Sequence, residues 1–216
     1  MKKFAVVLSG CGVFDGAEIH EATLSLLAIA KQGCSYEIFA PDTPQHHVIN
    51  HITGEEMDES RNVLVESARI ARGSIHDLKQ FNPEEFDALL FPGGFGAAKN
   101  LSSWAFEGAD ASVLLEVEDA IRGMVQLKKP VGALCISPVI LAKLFGEVNL
   151  TIGDDEGTID ALESLGTTHV YTTHGEVVVD EDHNLVTTPC YMLDATIDQI
   201  AKGADNIVDA MIGLMV

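Results

Sequence analysis

Positive charge is scarce in this chain of 216 residues. Its 13 lysines and arginines stand against 33 aspartates and glutamates, a formal net charge of −20. Nucleic acids and anionic membrane surfaces are bound through a basic footprint, so neither is an expected partner. Long apolar runs are missing too. None approaches the ~20 residues that cross a bilayer. The apolar run after Lys2 and Lys3 ends at Ser9-Gly10-Cys11-Gly12, too soon for a signal peptide and suited to a first buried strand and its turn. Cysteine is sparing. Cys11, Cys34, Cys135 and Cys190 show neither tight pairing nor metal-ligand spacing, and they read as free thiols of a reducing compartment. No repeat, low-complexity run or linker interrupts the chain. Residues 1–216 therefore read as one domain, and a hydrophobic fraction of 47% is enough for a substantial core.

Short apolar runs alternate with helical periodicity along the chain. Residues 3–8, 36–40, 88–91 and 131–134 read as buried strands, with shorter ones at 149–152 and 169–171. Residues 177–179 and 185–188, joined through Asp180-Glu181-Asp182-His183-Asn184, read as a hairpin. Helices are expected over 17–31, 62–71, 111–127, 156–165 and 195–214, the first capped by Asp15 or Gly16. The alternation predicts an α/β fold, a doubly wound and mainly parallel sheet between helix layers. Such sheets bind ligands beyond the carboxyl ends of their strands, where strand order reverses.

One stretch carries the chemistry. The strand expected at 131–134 runs straight into Cys135, and Ser137-Pro138 starts a helix, with proline where its missing N–H costs nothing. Ala133 and Ser137, two residues to either side of the bend, are small. This is the pattern of a nucleophile elbow with cysteine in place of serine, and the helix amino end favours thiolate. Gly93-Gly94, after the strand at 88–91, lets backbone N–H groups face a developing negative charge. Gly94 and Ile136 are the expected oxyanion donors, with Gly93 and Asn100 beside the substrate. Glu18, early in the first helix, is the carboxylate within the sequence's reach of Cys135. Touching a thiol, it would be largely protonated and could shuttle a proton. His46, His47 and His51 read as solvated, and Arg61, Arg69 and Arg72 as partners of nearby glutamates. His20, two positions past Glu18, reads as a packing residue.

The segments Val-Leu-Ser-Gly-Cys-Gly-Val-Phe-Asp-Gly-Ala-Glu-Ile-His-Glu (7–21), Asn-His-Ile-Thr-Gly-Glu (50–55), Arg-Asn-Val-Leu (61–64), Pro-Gly-Gly-Phe-Gly-Ala-Ala-Lys-Asn-Leu (92–101) and Leu-Thr-Ile-Gly (150–153) occur in this order. Together the sequence resembles the ElbB family, isoprenoid-biosynthesis glyoxalases with an amidotransferase-like domain in the PfpI superfamily. The resemblance implies a flavodoxin-like α/β sandwich, a cytosolic homodimer, Cys135 as nucleophile, Glu18 as its acidic partner, and Gly94 and Ile136 as oxyanion donors. It further implies cofactor-independent conversion of a small α-oxoaldehyde, glyoxal or methylglyoxal, to a 2-hydroxy acid. The alternative is a non-catalytic, redox-responsive cysteine protein that supports isoprenoid metabolism through a partner. Many superfamily members carry His after the nucleophile; Ile136 stands there instead, which weakens protease-type chemistry. His174-Gly175-Glu176 matches an amidotransferase His-x-Glu only superficially.

Overall fold

The computed structural model describes residues 1–215. In chain order the elements are β1 (Lys3–Val7), α1 (Ile19–Lys31), β2 (Ser35–Ala40), α2 (Val63–Ile70), β3 (His76–Asp77), β4 (Ala88–Phe91), α3 (Phe95–Lys99), α4 (Trp104–Glu107) and α5 (Leu115–Gln126). There follow β5 (Val131–Leu134), α6 (Pro138–Phe145), β6 (Asn149–Leu150), α7 (Glu156–Glu163), β7 (Thr168–His169), β8 (Val178–Asp180), β9 (Leu185–Thr188) and α8 (Ile197–Leu214). Seven strands form one sheet in the order β3-β2-β1-β4-β5-β9-β8. All pairs are parallel except β8 with β9. The predicted doubly wound α/β sheet is thus present. The hairpin extends its edge rather than standing apart, and β6 and β7 make a separate parallel pair.

The unbroken apolar runs follow from burial on both faces. Within β1, β4 and β5 alternate residues divide between two cores. Ala5, Val7, Leu89, Phe91, Val131 and Ala133 face α5 and α6. Phe4, Val6, Ala88, Leu90 and Leu134 face α1 and α8. Fully burying each large aliphatic side chain stabilises the fold by roughly 1.5–3 kcal/mol. The longest helix, α8, starts at a capping box between Thr196 and Gln199 and buries Ile200, Ala204, Ile207, Val208 and Met211 along one stripe.

Two boundaries differ from the sequence reading for identifiable reasons. Asp15 does not cap α1, because its Oδ2 accepts the Ile49 N–H at 2.7 Å; Glu18 is the cap, and the helix starts at Ile19. The helix expected from Ala111 starts at Leu115, because Val113 bridges Ser102 in extended form. Chain order reverses between β1 and β4. The loop after β1, the turn after β4 and the elbow after β5 therefore crowd one end of the sheet, where ligands of such folds bind.

Candidate active site

Cys135 directly follows β5 with φ of +59°, a left-handed conformation that a non-glycine residue keeps only when its surroundings enforce it. Three bonds hold the bend. The Cys135 N–H donates to the Thr188 carbonyl at 3.0 Å, the Ser137 N–H to the Leu134 carbonyl at 3.0 Å, and the Ser137 hydroxyl to the Pro92 carbonyl at 2.8 Å. The thiol is pointed into the corner formed by α1 and the Gly93-Gly94 turn, and the residue is only 6% exposed.

The two glycines are demanded by space and by backbone. A Cβ on Gly93 would lie 2.3 Å from the Cys135 Cβ and 2.5 Å from a Glu21 carboxyl oxygen. Gly94 has φ of +97°, and a Cβ there would meet the Glu18 backbone nitrogen at 2.4 Å. Side chains are excluded at both positions so that α1 can approach the elbow.

The sequence points to Glu18 as the acid beside the sulfur, but the structure puts Glu21 there. Glu18 is the N-cap of α1, its Oε2 accepting the Glu21 N–H at 2.7 Å. Glu21 has no exposed surface. It receives the Gly93 N–H at 2.9 Å on Oε2 and the Tyr191 N–H at 3.2 Å on Oε1, and its carboxyl group hydrogen-bonds with the Cys135 thiol. Burial, reinforced by the Glu18 charge, pushes the Glu21 pKa up from 4.5 to about 8. A signal for Glu21 was present in the sequence. Glu21, Ala22, Ser25, Ala28 and Ile29 form the buried stripe of α1, and a carboxylate inside an apolar stripe marks a buried acid.

The other expected site residues divide. The backbone N–H groups of Gly94 and Ile136 are both directed at the Cys135 sulfur. The Gly93 N–H is committed to Glu21. Asn100 does not reach the substrate space. Its Nδ2 donates to the carbonyls of Ser9 and Asp15 at 2.8 and 2.9 Å, and its Oδ1 accepts the His46 N–H at 2.9 Å, so it ties down the loop after β1. The helix end does not win at the sulfur. Burial, then the Glu21 charge, push the Cys135 thiol well above its ordinary pKa, against the opposing pull of the Gly94 and Ile136 N–H groups. His20, read as a packing residue, holds the Tyr191 hydroxyl through Nδ1 at 2.8 Å. His174 bonds the Asp194 carbonyl at 2.9 Å and lines, with Glu176, an open groove that does not contain Cys135; no His-x-Glu–cysteine triad forms.

A cavity of about 320 Å³ opens over Cys135. Its walls are Val13, Gly94, Phe95, Ile136, Tyr191 and Met192, with Asp155 and Thr158 completing the lining. A cysteine at a strained elbow, a protonatable acid against it and paired N–H donors make an arrangement suited to covalent addition and proton transfer.

No family model matches the chain. It is 45% identical over 222 residues to the mitochondrial ES1 protein homolog of Rattus norvegicus, covering 98% of this chain and 84% of the relative. It is 44% identical over 222 residues to the mitochondrial glutamine amidotransferase-like class 1 domain-containing protein 3 of Homo sapiens, covering 98% and 83%. An isoprenoid biosynthesis protein with an amidotransferase-like domain from Ehrlichia chaffeensis shares its structure at a TM-score of 0.92 and 37% identity, over 99% of both chains. More distant ThiJ/PfpI and DJ-1 superfamily proteins, at 15% and 17% identity and TM-scores of 0.60, share the fold. The sheet order and the cysteine elbow thus define an amidotransferase-like α/β protein with the fold that ThiJ/PfpI and DJ-1 proteins share. Within that class, the chain belongs to the family of ES1 and glutamine amidotransferase-like class 1 domain-containing protein 3.

Proposed function

We propose that the protein is an ElbB-type, cofactor-independent glyoxalase, acting on an α-oxoaldehyde through Cys135 and Glu21. The observation that carries this reading is the Glu21 carboxyl group, buried without a cation, held by two backbone N–H groups and bonded to the Cys135 thiol. Sulfur adds to the aldehyde carbon while the thiol proton passes to the Glu21 carboxylate. The new alkoxide, met by the Gly94 and Ile136 N–H groups, takes that proton and becomes a hemithioacetal. The Glu21 carboxylate then removes the proton on the former aldehyde carbon, giving an enediol, and returns a proton to the neighbouring carbon. The product is a thioester of a 2-hydroxy acid. Water hydrolyses it, releasing the acid and restoring the thiol. One water is consumed and no electrons leave the molecule.

Burial makes the acid necessary. A thiol held above its ordinary pKa is a weak nucleophile by itself, and a base in contact converts it at the moment of attack. Likeness to the isoprenoid biosynthesis protein of Ehrlichia chaffeensis supports an isoprenoid connection, and a homodimer is the proposed assembly, checked by sedimentation.

The test is glutathione-free turnover of glyoxal and methylglyoxal, following the hydroxy acid by NMR. The wild type should turn over, and Cys135→Ala should lose at least ~10³-fold in kcat/KM. Equal rates in wild type and Cys135→Ala would refute the assignment.

A further inference from the structure

The cavity over Cys135 is too large and too apolar for the smallest oxoaldehydes. At ~30 Å³ for each water-sized group, about 320 Å³ accommodates about ten such groups, whereas glyoxal supplies about four. The surplus is lined by the side chains of Val13, Phe95, Ile136, Tyr191 and Met192. Two of these carry rings that are held in place without being buried. Phe95 begins α3 with its N–H on the Val13 carbonyl at 2.8 Å, yet its side chain is 47% exposed. Tyr191 is fixed at both ends, by its N–H on Glu21 and by its hydroxyl on His20.

Charge narrows the choice of ligand. Asp155 is the charged residue of the lining, and no lysine or arginine shares it. Its Oδ1 accepts the Thr158 N–H at 2.8 Å, which holds the carboxylate ionised at the start of α7. Lys99 lies over the Phe95 ring with its ammonium on the Phe14 carbonyl at 2.9 Å, outside the lining. An anionic tail entering the cavity would meet a carboxylate and no counter-charge.

From these observations we infer that the preferred substrate is an α-oxoaldehyde bearing an uncharged apolar substituent of aromatic-ring size, seated against Phe95, Tyr191 and Met192. The substrate class rests on the glyoxalase reading; the pocket's preference for an uncharged ring does not.

Two measurements separate these claims. The first compares glutathione-free kcat/KM for glyoxal and phenylglyoxal. Phenylglyoxal should exceed glyoxal by at least about tenfold, since a buried ring contributes more binding than a hydrogen. Phe95→Ala and Met192→Ala should each shrink that ratio by at least about threefold. The second follows alkylation of Cys135 by iodoacetamide, read by peptide mass spectrometry on the wild-type protein, with acetophenone or benzoate present. Acetophenone at millimolar concentration should slow the reaction at Cys135 several-fold, and benzoate should not. Loss of all oxoaldehyde turnover with acetophenone protection intact would sink the glyoxalase reading and uphold the pocket. Glyoxal used as well as phenylglyoxal, acetophenone giving no protection, or benzoate protecting equally would each overturn the inference.

Discussion

Two glutamates of this protein are buried on neighbouring helices, and they live in opposite electrostatic surroundings. Glu66, on α2, is 5% exposed and clamped by cations. The Arg69 Nε lies 2.8 Å and the Arg61 guanidinium 3.5 Å from its Oε2. Glu21, on α1, has no exposed surface and no cation partner among the described residues; its partners are two backbone N–H groups and a thiol. A buried carboxylate with an arginine beside it is paired and acts as a tie. One without a cation takes up a proton instead, with a pKa of about 8 that is useful near neutrality. On the proposed reaction the difference gives Glu66 a structural part and Glu21 the chemical one, although both look equally out of place in their apolar stripes.

The largest expected effect comes from exchanging oxygen for an amide at each position. Glu21→Gln should lower glutathione-free aldehyde kcat/KM by about 10²–10⁴-fold, the usual contribution of a positioned acid–base group. Glu66→Gln should leave turnover within a few-fold and appear in urea denaturation instead, as a loss of about 1–3 kcal/mol, because its arginines keep partial access to water. Activity lost in Glu66→Gln with the fold intact would break the contrast.

The acid dependence of the rate sharpens the assignment. Attack requires one proton to have left the Cys135–Glu21 pair, so kcat/KM should rise with pH through about 8. Glu18 raises the Glu21 pKa by its charge, so Glu18→Gln should move this limb to lower pH while reducing turnover far less than Glu21→Gln. A limb that stays in place would separate the rate from Glu21.

Stability should show the same proton. The folded Glu21 pKa, about 8, lies above the ordinary 4.5. Its contribution is fully present below about pH 4.5, declines as pH rises toward about 8 because the unfolded chain has already lost its proton, and is flat above that. The decline amounts to a few kcal/mol, at about 1.4 kcal/mol for each unit. Urea midpoints across this range should reveal it in the wild type and not in Glu21→Gln. The smallest effect belongs to Arg69→Ala. Arg69 is 64% exposed on its side chain, and its removal should cost about 1 kcal/mol or less in the same measurement.

Much of this site could be read from the residues in order. The elbow at Cys135 declared itself through small neighbours and an early proline, and Gly93-Gly94 through paired glycines after a strand. Asn100 misled because it sits beside that turn; whether a side chain there faces substrate or the loop after β1 depends on contacts with Ser9 and Asp15, some 90 residues earlier in the chain. Phe95 and Tyr191 drew no attention, since a ring becomes part of a cavity only when distant segments leave it uncovered.

The alternation of apolar runs with helical stripes determined the doubly wound sheet, and the local backbone demands of a tight bend determined where the cysteine stands. Both are short-range properties, carried by side-chain period and by φ. The tertiary structure alone decided which of two acids three residues apart lies against the sulfur. Glu18 sits at the cap with extended ψ of 123° and turns back to its own helix, while Glu21 falls on the face of α1 that the sheet covers. It also decided the acid's proton affinity, because desolvation depends on every segment packed around a group and is encoded by none of them singly.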